Sequence, residues 1–124
     1  MSIKDFFFGD KTETEKELMN WNQFNGVAQL DELANLSLDK EIVIFKHSPR
    51  CGISNSVLRR FEGKLIASHR DGRFYLVNVI SEREVSNAIA QRFQIIHQSP
   101  QVLIIKNEKV LAYASHYEIL ELDL

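Results

Sequence analysis

Ile42-Val43-Ile44-Phe45-Lys46-His47-Ser48-Pro49-Arg50-Cys51-Gly52-Ile53-Ser54 passes from a strand pattern through a polar loop into the start of a helix. Its first four residues form an unbroken β-branched and aromatic run of strand length, the pattern of a strand covered on both faces. Beyond the polar loop, Ile53, Val57, Leu58, Phe61 and Leu65 recur on one helical face. A turn at Asp71-Gly72 follows, then Phe74 to Ile80 as a second buried-strand run. Two strands joined by a helical crossover must run parallel.

A weak strand and then a helix precede this unit. Val27, Leu30, Leu33 and Ala34 give that helix its apolar stripe, and Asn25-Gly26 opens it. Downstream, Ser81-Glu82-Arg83-Glu84 reads as a capping box ahead of Val85, Ala88, Ile89 and Phe93. Val102 to Ile105 and Val110 to Ala114 are short strands separated by Lys106-Asn107-Glu108-Lys109, which predicts an antiparallel hairpin. A second capping-box pattern, Ser115-His116-Tyr117-Glu118, opens a brief helix to about Leu122. The expected class is α/β, with a mixed four- to five-stranded sheet flanked by helices.

The chain has 124 residues, 44% hydrophobic and 26% charged, which suits a single globular unit. Residues 21–124 are read as that domain. Residues 1–20 are read as an N-terminal extension, in which Phe6-Phe7-Phe8 dock on the domain's own surface or on a partner. Fifteen Lys and Arg against seventeen Asp and Glu give a net charge of -2, which argues against nucleic-acid or membrane binding driven by bulk charge. No run near the start has the length of a signal-peptide core or membrane span, so the expected compartment is the cytoplasm. A single cysteine excludes an internal disulfide, a Cys-x-x-Cys pair and a zinc site built mainly from thiolates. His47, His69, His97 and His116 show no metal-ligand spacing, so no metal site is expected.

Reactive groups in an α/β sheet collect beyond the carboxyl ends of the parallel strands, and Cys51 falls there, where loop becomes helix. Unpaired first-turn N–H groups and the helix dipole favour a thiolate, and Lys46, His47 and Arg50 add positive charge nearby. These are the surroundings of a nucleophile rather than of a buried, inert cysteine. Ser99-Pro100-Gln101 immediately precedes the Val102 strand, and Pro suits a strand's first position because it has no N–H to donate. A cis Ser99–Pro100 bond would present the Ser99 backbone beside Cys51, although an ordinary X–Pro bond is trans.

These residues carry a resemblance. The element order, the cysteine at a helix start and the proline opening the penultimate strand resemble the thioredoxin superfamily, which implies a thioredoxin-like fold with that proline cis. Within it, Phe45-Lys46-His47-Ser48, Cys51-Gly52-Ile53-Ser54 and His97-Gln98-Ser99-Pro100-Gln101 resemble the YtxJ family of bacillithiol-system proteins, the monothiol bacilliredoxins or BrxC. The chain departs from that family's pattern at Gly52, where Pro is usual, and at Pro49. The resemblance implies a thiol-disulfide oxidoreductase in which Cys51 takes bacillithiol from mixed disulfides on client proteins and an outside thiol resolves the adduct. It implies bacillithiol as co-substrate and no bound cofactor, with bacillithiolated client proteins and a low-molecular-weight thiol as partners.

Supporting roles follow as expectations. The N–H groups of Gly52 and Ile53 would stabilise charge on sulfur, and the Ser99 backbone, set by Pro100, would pair with substrate. Lys46 and Arg50 would meet the malate carboxylates of bacillithiol. Ser54 stands where dithiol relatives carry a resolving cysteine, and either binds substrate or ties down nearby backbone. His116 would line the thiol pocket or serve capping and packing; His97 would shape the loop before Pro100. Three rivals stand beside this reading. A C-G-F-S-type monothiol glutaredoxin carrying an iron-sulfur cluster wants a glycine-rich segment where this chain has Ala114-Ser115-His116. An arsenate-reductase-like enzyme wants arginines near the second proline, where Gln98 and Gln101 stand. The third is a non-catalytic binding module.

Overall fold

The computed structural model describes residues 19–124, so the readings placed on Phe6 to Phe8 and on the charged stretch after them lie outside the described residues. The described elements are α1 (Gln29–Leu36), β1 (Ile42–His47), α2 (Gly52–Ser68), β2 (Arg73–Asn78), α3 (Arg83–Phe93), β3 (Gln101–Lys106), β4 (Lys109–Ser115) and a closing 3-10 helix, His116–Glu121. The sheet order is β2-β1-β3-β4. β1 pairs parallel with β2 and antiparallel with β3, and β3 pairs antiparallel with β4. This is the mixed α/β sheet that the alternating sequence patterns predict. The weak first strand amounts to a single parallel bridge from Asn22 to Tyr75, closed by Asn22 N–H to Phe74 O at 2.7 Å and Leu76 N–H to Asn22 O at 3.0 Å.

All six residues of β1 are buried, because helices cover both of its faces. Ile42 and Ile44 point into one core with Leu33 of α1 and Ile89 of α3. Val43 and Phe45 point into the other with Val57, Phe61 and Leu65 of α2. β2 differs from the expected fully buried run: it is an edge strand, and only Tyr75 and Val77 on the α1/α3 side are buried. The buried stripe of α2 also begins one residue later than the expected apolar one, at Ser54 rather than Ile53. Ile53 is 42% exposed, while Ser54 is fully buried, since Ser54, Val57, Phe61 and Leu65 recur at intervals of three, four and four along the helix.

Neither expected capping box forms. Glu82 caps α3, and its carboxylate accepts the Asn78 N–H at 2.9 Å; the Asn78 side-chain carbonyl in turn accepts from the N–H groups of Ile80 and Ser81. The Ser115 hydroxyl accepts from Gln101 Nε2 at 3.2 Å instead of closing a helix start. The β3–β4 hairpin turns through Asn107 and Glu108, at φ 53° and 65°, the left-handed pair that a two-residue hairpin turn needs. Buried Ser37 anchors it: its carbonyl accepts the Asn107 N–H and its hydroxyl the Glu108 N–H, both at 2.8 Å.

Candidate functional site

β1 delivers the chain to a tight loop whose last residue is Cys51. The Cys51 N–H donates to Ser48 O at 3.0 Å, and its carbonyl accepts the first helical bond of α2 from the Asn55 N–H at 3.0 Å. Cys51 is therefore the N-cap, in extended backbone at φ -102° and ψ 121°, and is partly exposed. The N–H groups of Gly52 and Ile53 open the first turn, where an α-helix has no carbonyl to offer them. The positive dipole end of α2 thus starts at Cys51, whose side chain makes no capping hydrogen bond to it.

Two side chains of α2 hold this loop. Asn55 Nδ2 donates to Pro49 O at 3.0 Å and to Cys51 O at 3.1 Å. Ser54 Oγ accepts the Ser48 N–H at 3.0 Å and lies 2.7 Å from His47 Nδ1. Ser54, fully buried, thus ties down backbone and presents no surface to a ligand. Burial lowers the pKa of His47, so its ring is neutral near pH 7 and adds no cationic charge to the loop. His47 also lines a cavity of about 320 Å³ with Asn78, Ser81 and Glu82 at the carboxyl ends of β1 and β2.

Lys46 is not the loop cation that the sequence suggests. β1 runs on through His47, and strand alternation turns Lys46 to the α1/α3 face while His47 faces α2. Lys46 is fully buried, and its Nζ donates to Ser86 O at 3.0 Å and to His97 Nδ1 at 3.2 Å. Burial brings its pKa down to about 8. Arg50, by contrast, is exposed in the loop beside Cys51.

The Ser99–Pro100 peptide bond is cis. Pro100 O accepts the His116 N–H at 2.9 Å, so the end of β4 meets the start of β3 and the exposed His116 stands next to Pro100. Gln101, almost fully buried, donates from Nε2 to Ile96 O at 2.9 Å, while its Oε1 and the Ser99 hydroxyl are buried without a partner among the described residues. Cys51, Arg50, Gly52 and Ile53 thus form one exposed or partly exposed loop and first turn. Ser99, Pro100 and His116 form a second cluster at the start of β3. Sequence reasoning missed Asn55 and Gln101, whose only signal is a polar side chain within a helix's first turn or at the start of an apolar strand. No group of His, Cys, Asp and Glu among the described residues could hold a metal ion, and none of the described helices is long and apolar enough to cross a membrane.

Comparison with known proteins gives both a family and a fold. The family described as monothiol bacilliredoxin BrxC matches residues 22–124. A solved structure described as a candidate oxidoreductase with a thioredoxin fold is 27% identical, with a TM-score of 0.67 over 80% of this chain and 86% of that one. Thioredoxin from Trypanosoma brucei brucei is 18% identical, with a TM-score of 0.63 over 81% of each chain. Thioredoxin from Schistosoma mansoni is 19% identical, also at 0.63, over 82% of this chain and 88% of that one. The last two likenesses establish the thioredoxin fold.

Proposed function

The chain belongs to the monothiol bacilliredoxin BrxC family, a thiol-redox family on the thioredoxin fold, and from that premise we propose that it removes bacillithiol from mixed disulfides on client proteins. The observation that carries this reading is the placement of the only cysteine: partly exposed, at the N-cap of α2, with a buried serine rather than a thiol three residues on. No second thiol of the chain can close a disulfide on it.

The chemistry is two successive exchanges. The Cys51 thiolate attacks the bacillithiol sulfur of the client disulfide; the new Cys51–bacillithiol bond forms as the client's sulfur leaves as thiolate and takes a proton from water. A second low-molecular-weight thiolate then attacks the bacillithiol sulfur of this adduct. It forms a low-molecular-weight disulfide and returns Cys51 as thiolate. Gly52 and Ile53 N–H groups stabilise the charge on Cys51 sulfur at both ends of the cycle. Arg50, exposed beside Cys51, is a cation available to a substrate carboxylate, and substrate docking falls in this reading to the Ser99 backbone and His116 beside Pro100. The reaction belongs in a compartment that keeps thiols reduced, the cytoplasm.

Incubation with a bacillithiolated and a glutathionylated client, followed by intact mass, tests the reading. A bacillithiol adduct is expected on the wild type and absent from Cys51→Ser. No adduct on a wild type whose Cys51 still alkylates overturns it.

A further inference from the structure

Lys46 is an ammonium group in the interior, and its surroundings are unusual for a charge. Among the described residues no carboxylate lies within ion-pair distance of Nζ. Its partners are neutral: the backbone carbonyl of Ser86 in α3 and the imidazole of His97. An ammonium can only donate, so His97 Nδ1 accepts from it and the ring proton belongs on Nε2. The Ser86 hydroxyl, 3.1 Å from the same Nδ1, completes the cluster. Burial, then the charges of Lys46 and Arg83, lower the pKa of His97 and keep the ring neutral.

A desolvated charge without a counter-ion is a poor source of stability, and an apolar side chain of similar length is often at least as stable in its place. What the ammonium supplies is direction. His97 belongs to the segment between α3 and β3 that ends at Ser99-Pro100. Besides the His116 N–H on Pro100 O at its end, two side chains of the sheet hold that segment: Gln101 through Nε2 on Ile96 O, and Lys46 through Nζ on His97 Nδ1. Gln101 and Lys46 are register partners on β3 and β1, so the two holds are adjacent on one face of the sheet.

We propose that Lys46 is a positioning residue for thiol exchange: by clasping His97 it fixes the Ser99–Pro100 segment in the geometry that receives the mixed-disulfide substrate. The proposal rests on the exchange reaction proposed above. It assigns Lys46 an indirect part, with no contact to the reacting sulfurs.

The test compares wild type, Lys46→Met, His97→Ala and the double variant, with a bacillithiolated peptide as substrate. Lys46→Met is expected to raise KM about tenfold, roughly the worth of one charge-assisted hydrogen bond, with kcat nearly unchanged. His97→Ala should do the same, and the double variant should lose no more than either single one. Alkylation of Cys51 by iodoacetamide, which needs no peptide docking, should stay at the wild-type rate. Without any substrate, amide hydrogen exchange at residues 95–99 should quicken in both single variants. An unchanged KM, additive losses, slowed alkylation or unchanged exchange at 95–99 overturns the clasp. A wild type that fails to turn over the peptide defeats the exchange reading instead, and the amide exchange still reports on the clasp. If Lys46→Met does not fold, His97→Ala and His97→Asn decide, because Asn keeps an acceptor and should retain the wild-type KM better than Ala.

Discussion

His47 Nδ1 and Ser54 Oγ lie 2.7 Å apart, joining the end of β1 to the first turn of α2 on either side of the Cys51 loop. The same hydroxyl accepts the Ser48 N–H, so one buried oxygen fixes both the strand end and the loop that leaves it. The cysteine is held by its neighbours' polar atoms rather than by its own side chain.

Removing that oxygen should therefore be felt. Ser54→Ala leaves the Ser48 N–H and His47 Nδ1 without this partner and is expected to lower the unfolding free energy by about 1–3 kcal/mol. Urea unfolding measures the loss, and faster amide exchange at Ser48 should accompany it. Equal midpoints for the two proteins would show that the hydroxyl is dispensable.

Acid should weaken the fold through two rings. Burial lowers the pKa of His47 and of His97 below the ordinary 6.5, so in mildly acid solution the unfolded chain takes up protons that the folded chain refuses. Stability is thus retained above about pH 6.5 and falls as pH drops below it. Replacing either ring by Asn should flatten the decline between pH 6.5 and 5, read by urea midpoints; a decline as steep as that of the wild type contradicts the assignment.

Base should act oppositely through Lys46. Unfolded, this lysine keeps its proton to about 10.5; folded, only to about 8. Between those values the unfolded state binds more protons, so the Lys46 contribution to stability rises with pH, by about 1–3 kcal/mol in all. Tyr75, raised above 10 by burial, opposes it at the upper end, which leaves pH 8 to 10 as the clean window. The rise should be missing from Lys46→Met, and parallel stability curves for the two proteins would refute it.

Gly52→Pro should be accepted. Gly52 is the first residue of α2, a Cβ there meets no atom within 4 Å, and Cys51 already has the extended backbone that a following proline requires. A gain of about 0.4–1 kcal/mol is expected from the stiffer unfolded chain. Cys51 alkylation at fixed pH should slow as one first-turn N–H is lost. Destabilisation, or an unchanged alkylation rate, would count against this account of the helix start.

Gly72→Ala should be rejected. An added Cβ would come within 2.8 Å of Glu41 O, the carbonyl that accepts the Arg73 N–H at the start of β2. Backbone must shift, and a loss of about 1–3 kcal/mol is expected in thermal or urea unfolding. A fully stable variant would mean that this turn is looser than the packing implies.

Much of this architecture was legible locally. The Ile42–Phe45 run, the helical stripe through Val57, Phe61 and Leu65, and the hairpin around Asn107 each carry their own periodicity or turn signal, so the mixed sheet and the place of Cys51 at a helix start follow from neighbours in sequence. The side of the sheet taken by each polar residue did not follow, because alternation inverts with a shift of one position and the strand's end is set by pairing with β2 and β3. That pairing carried β1 two residues beyond Phe45. It turned Lys46 inward to His97 and set His47 against Ser54, and no local pattern could assign those partners, which stand 51 and 7 residues away in the chain. The sequence alone determined that any disulfide Cys51 forms must join it to a thiol from outside the chain. Tertiary structure decided which groups hold that thiol's loop and the Pro100 segment in place, since such hydrogen bonds exist only once distant elements are packed together.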